Sequence, residues 1–155
     1  MKIRRVVTGH KPNGDATILI DEASKDVVNF RPGATVCNIW SALLPADNGD
    51  AVDGAKQIVG TAMKGRSVFR VIEYAPGVAP RNHRTDSIDY AVVLSGEITM
   101  EIDHETVVLR AGDVLVQRGT IHNWVNRGEA PCVIAFVLID AAPVTVAGDA
   151  MIAVG

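Results

Sequence analysis

The 155-residue sequence is poor in cysteine, poor in aromatic residues and without an excess of positive charge. Each scarcity excludes something. Two cysteines, Cys37 and Cys132, are too few for a disulfide framework, and both stand in apolar, strand-like stretches where a buried reduced thiol is expected. A formal charge of −3, with no run of like charges, speaks against a nucleic-acid partner and against a polybasic membrane patch. The longest apolar run near the end, 133–139, falls far short of the roughly 20 residues a spanning helix needs. Residues 1–10 carry Lys2, Arg4 and Arg5 with no apolar stretch behind them, so no secretory signal and a cytoplasmic location are expected.

What is present is globular. Hydrophobic residues make up 48% and charged residues 21%, and the length suits one domain over 1–155 with a real core. Helical periodicity is scarce. Short runs rich in Val, Ile, Thr and aromatics at 17–21, 35–40, 67–74, 90–94, 98–102, 106–109, 114–117 and 132–139 read as strands. Turn signals separate them, among them Asn13-Gly14, Pro32-Gly33, Gly96 and Gly112. Such spacing predicts an all-β barrel or sandwich, with the first forty residues adding strands to its edge. Segment 43–65, with Pro45, Asn48, Gly49 and Gly54, reads as one loop or short-helix insertion within which 51–63 holds any helix. Strand 90–94, the turn at Ser95-Gly96-Glu97 and strand 98–102 read as a tight hairpin, and Asp103-His104-Glu105 turns the chain again. His10 and His104 fall in turns and are expected to be exposed.

Two stretches carry chemistry. In 77–96, Gly77 is followed by His83, Thr85, Asp89 and a closing Gly96; in 112–126, Gly112-Asp113 leads through a strand to Gly119, His122, Trp124 and Asn126. Order and spacing together resemble the two motifs of the cupin superfamily, over core residues 77–126, and in detail a small single-domain cupin. The resemblance implies an RmlC-like jelly-roll barrel with His83, Asp89 and His122 converging on one interior pocket. It also implies a divalent metal (iron, manganese, nickel or zinc) held by His83, Asp89 and His122, the same three being the catalytic candidates. Three departures from the family pattern stand out. Thr85 occupies the second histidine position, Asp89 replaces a glutamate, and Gln117 replaces a proline. With its shorter side chain, Asp89 is a ligand, a general base, or a partner that orients a histidine.

Thr85, Trp124, Trp40, Tyr74 and Arg70 are the candidate substrate contacts. Trp124 shares strand parity with His122, and Trp40 lies on an apolar strand expected to face the same lumen. Tyr74 precedes the first motif. Arg70, set among Val68, Phe69, Val71 and Ile72, points either to solvent or inward, and an inward arginine favours an anionic substrate. The expected function is a metal-dependent lyase, dehydratase or isomerase acting on a small oxygenated compound. An iron-dependent dioxygenase and a non-catalytic ligand-binding module are the alternatives. With no helix-turn-helix segment beside the barrel, a DNA-bound sensor is not expected. A homodimer is, because open strand edges are a liability.

Overall fold

The computed structural model describes residues 1–25 and 27–155, and its strands form where apolar and polar residues alternate. β1 (Arg4–His10) and β2 (Ala16–Ala23) make an antiparallel hairpin around Asn13-Gly14, where Gly14 takes φ +87°. The main sheet has six strands. These are β3 (Val27–Arg31), β4 (Ala34–Leu43), β5 (Arg66–Tyr74), β6 (Ser87–Ser95), β9 (Val114–Arg118) and β11 (Cys132–Asp140), in the order β3-β4-β5-β11-β6-β9. A second sheet holds β7 (Glu97–Ile102), β8 (Glu105–Arg110) and β10 (Asn123–Val125), in the order β10-β7-β8. A small hairpin of β12 (Thr145–Val146) and β13 (Asp149–Ala150) follows.

One hydrophobic cluster joins the two sheets. Ala91, Val93, Ile134, Phe136 and Leu138 of the six-stranded sheet pack with Ile98, Met100, Leu109 and Trp124 of the smaller one. Each large apolar side chain buried this way contributes roughly 1.5–3 kcal/mol. Strict alternation aims the strands. On β6, Ser87, Asp89, Ala91 and Val93 are buried, while Tyr90, Val92 and Leu94 face outward. Cys37 and Cys132 are buried free thiols, as expected.

Three details differ from the sequence reading. Ser95-Gly96-Glu97 is not a hairpin: β6 pairs with β11 and β9, whereas β7 pairs with β8 and β10. Gly96 (φ +78°) is the corner where the chain crosses from one sheet to the other. A Cβ there would lie 2.6 Å from the Pro131 carbonyl oxygen. Second, only β3 and β4 of the early strands join the main sheet, and β1–β2 stands as its own two-stranded sheet. Third, 51–63 holds no longer helix than the 3-10 turn Gly54–Lys56, capped by Asp53.

Candidate functional site

The two motif histidines meet through the backbone. His83 and His122 form an isolated antiparallel bridge, each N–H donating to the other's carbonyl at 3.0 Å. Residues directly opposite in such a pair project to the same side. The two imidazoles therefore stack with centroids 4.0 Å apart and planes tilted by 50°. Trp124, two residues beyond His122, meets its ring edge-on at 5.8 Å, and Trp124 in turn packs near Tyr74 and Phe136. Gly119 (φ +60°) turns the chain into this segment.

Asp89 enters the same cavity from β6. Its Oδ1 accepts from the Ser87 hydroxyl at 2.6 Å, and Oδ2 lies 3.4 Å from the Gln117 amide nitrogen. That nitrogen also lies 3.0 Å from His122 Nδ1, so Gln117 bridges the carboxylate and the imidazole. The Nδ1 atoms of His83 and His122 sit 3.2 Å and 3.0 Å from the carbonyl oxygens of Arg81 and Thr120. A carbonyl only accepts, so on His83 Nδ1 carries the proton and Nε2 keeps its lone pair. On His122 the Thr120 carbonyl calls for a proton on Nδ1 and the Gln117 amide nitrogen for a lone pair there, so the two contacts ask for opposite tautomers.

Burial sets the charge states. It lowers the pKa of His83 to about 3, helped by the neighbouring His122, and lowers that of His122 as well, so both rings are neutral at neutral pH. Burial raises the Asp89 carboxyl above the ordinary range, while the Ser87 hydrogen bond and the Arg70 charge hold it down in part. The interior thus pairs two neutral imidazoles with a carboxyl of strengthened basicity.

Of the expected substrate contacts, Arg70, Tyr74 and Trp124 line this cavity. Trp40 and Thr85 do not. A bulge on β4 pairs Asn38 with Arg70 and Trp40 with Phe69, leaving Ile39 unmatched. The extra residue reverses the alternation that puts Ala34 and Val36 inside, so Trp40 turns out beside Phe69 and the β1–β2 hairpin. Thr85 opens instead onto an outer depression near Asp140–Pro143, and its hydroxyl lies 2.9 Å from that of Ser87. Other lining residues lay outside the sequence reading: Phe30, Arg31, Arg81 and Phe136. Gln117 had one visible sign, its place where the motif expects proline. Ser87 shares the parity of Asp89, a signal that was available.

The cupin domain family matches residues 70–139. A cupin-domain-containing oxidoreductase of Aspergillus ruber is 33% identical over 159 residues, covering 97% of this chain and 78% of that protein. The chain belongs to the cupin superfamily. A phomopsin biosynthesis cluster protein of Diaporthe leptostromiformis is 44% identical over 91 residues, 57% of this chain. That match spans about half of the relative, 48% of its length. Among solved structures, the polyketide cyclase of Streptomyces resistomycificus covers 74% of this chain and 75% of its own at 19% identity, with a TM-score of 0.51, a likeness of fold.

Cupins commonly hold metals, and two neutral imidazoles side by side suit one. The expected three-donor set does not fit. Among the described residues no group of three or more His, Cys, Asp or Glu side chains is arranged to hold a metal ion. Asp89 is turned to Ser87 and Gln117, with the Gln117 amide between it and His122. Also among the described residues, no helix is long and apolar enough to cross a membrane.

Proposed function

We propose that this cupin is a small-molecule enzyme that moves protons on a small oxygenated compound held in the barrel, in a lyase, dehydratase or isomerase type of reaction. The observation that carries this reading is the buried Asp89 carboxyl, its pKa raised, opening on the same cavity as two neutral imidazoles. A carboxylate of raised pKa is a stronger base, and its protonated form persists to higher pH than that of an ordinary carboxyl. Asp89 takes a proton from carbon or oxygen and returns it. His83, neutral with Nε2 free, accepts a hydrogen bond from a substrate hydroxyl, and the neutral His122 ring beside it helps fix the orientation. Trp124, Tyr74 and Phe136 keep water from the reacting face.

The test is solvent exchange. Enolisable hydroxy- and oxo-compounds are incubated with the protein in D2O and followed by NMR. Deuterium incorporation by the native protein, falling about 100-fold or more in Asp89→Asn, is the expected result. Binding of these compounds without exchange or turnover would overturn the enzyme reading and leave a ligand-binding module.

The naming of relatives as oxidoreductases favours a second reading, in which the pocket serves a redox step and the iron-dependent dioxygenase is the concrete variant. Elemental analysis separates the two. Stoichiometric iron lost in both His83→Ala and His122→Ala would support the redox reading, and its absence after iron loading would remove that variant.

We also propose a homodimer. Tyr90, Val92 and Leu94 of β6 and Val114 and Val116 of the edge strand β9 leave an exposed apolar surface on the outer face of the main sheet. The β1–β2 hairpin packs at the Trp40–Phe69 end of that face, and the β6–β9 end is left for a second copy.

A further inference from the structure

The ten arginines of this chain divide by what they meet. Arg4, Arg5, Arg110 and Arg127 each meet an acid. Arg31, Arg70 and Arg81 line the cavity and meet no acidic side chain among the described residues, and Arg66, Arg84 and Arg118 belong to neither set. Arg5 and Arg70 make the sharpest comparison, being 2% and 4% exposed. Each has an Nε without a partner, but Arg5 meets both Asp53 and Glu22. Arg70 has the Gly60 carbonyl, to which its Nη2 donates at 2.5 Å. Arg81 donates to the Thr61 hydroxyl and to a terminal oxygen of Gly155, a carboxylate at the end of this chain, and lies over the Phe30 ring at 5.0 Å, while Arg31 donates to the Ala79 carbonyl.

The partners of Arg31 and Arg70 are neutral, and a guanidinium does not give up its proton. A buried cation met only by neutral acceptors is unfavourable unless an anion completes it. Asp89, the only acid among the described lining residues, is engaged by Ser87 and Gln117 and forms no ion pair with Arg70 among the described residues. With Arg81 set against the chain-end carboxylate, Arg31 and Arg70 remain in the cavity with no acid of their own, and Asp89 is at most one negative charge against them.

We infer that the cavity binds a small carboxylate anion, with Arg70 taking the carboxylate at depth and Arg31 and Arg81 drawing it in past Phe30. This rests on the reading of the cavity as a small-molecule site and names the class of compound. The space between the side chains is narrow. About 40 Å³ is open to the centres of water-sized spheres, room for about three waters. A flat carboxylate presented to the unfilled edge of Arg70 suits this space better than a tetrahedral phosphate. The aromatic and aliphatic wall of Phe30, Tyr74, Phe136 and Leu138 suits an apolar remainder.

The test is an NMR titration with acetate, benzoate and succinate, each beside its neutral amide, and with inorganic phosphate. At least one carboxylate is expected to bind tenfold or more tightly than its amide. Arg70→Gln should remove that preference, Arg70→Lys should keep part of it, and Arg81→Gln should weaken binding at low salt more than at high salt. Should Arg70→Gln fail to fold, the carboxylate–amide comparison on the native protein and Arg81→Gln still decide. Amides binding as tightly as acids, no carboxylate binding, or phosphate outcompeting every carboxylate would each overturn the inference. Carboxylate binding without solvent exchange would sink the proposed reaction and leave this inference standing. Exchange on neutral compounds with no carboxylate preference would do the reverse.

Discussion

At the scale of single residues, the chemistry turns on how Asp89 is held. The Ser87 hydroxyl donates to it at 2.6 Å and favours its ionised form. A base works only when ionised, so activity is lost as pH falls through the raised Asp89 pKa. Ser87→Ala removes a bond that lowers that pKa, so the acidic limb of the pH–rate profile should move to higher pH by about one unit. An unmoved limb would mean that another group governs it. Thr85, which stands where the motif expects a ligand, reaches this base only through Ser87. Thr85→Val should therefore shift the limb less than Ser87→Ala does.

At the scale of elements, the corners of the barrel separate two costs that a sequence does not tell apart. Gly96 and Gly112 both have positive φ, but a Cβ at Gly96 runs into the Pro131–Cys132 backbone, whereas none is obstructed at Gly112. Gly112→Ala should cost about 1 kcal/mol, the conformational penalty alone, and Gly96→Ala clearly more, about 2–3 kcal/mol. Denaturant unfolding measures both, and equal losses would refute the close approach at Gly96. The strands themselves were legible because β-branched alternation marks β4–β9 and β11 residue by residue. The topology at Gly96 was not, since a glycine between two strands reads alike whether the chain folds back or crosses to another sheet. β10 is three residues long and carries too little alternation to announce itself.

At the scale of the whole molecule, the surface predicts an assembly. Light scattering should show a dimer that Tyr90→Lys with Val116→Lys converts to monomer, with the barrel still folded by circular dichroism. A monomeric native protein at working concentration would end that proposal. The pocket was legible where the two motifs come together, His83 and His122 facing each other across an isolated bridge and Asp89 standing on β6. Of its cationic lining Arg70 alone was legible, as an arginine set among apolar strand residues; Arg31 and Arg81 come from a strand end and a loop far apart in sequence and carry no such signal. The unmatched residue at Ile39 has a reach beyond its own strand. A ladder of the same length running on without the bulge would set Trp40 opposite Val68, swing its indole into the lumen and leave the β1–β2 hairpin without the ring it lies beside. Pocket capacity and the surroundings of the first two strands are thus set by the same bulge, and related chains that keep this length but lose the bulge should differ in both together.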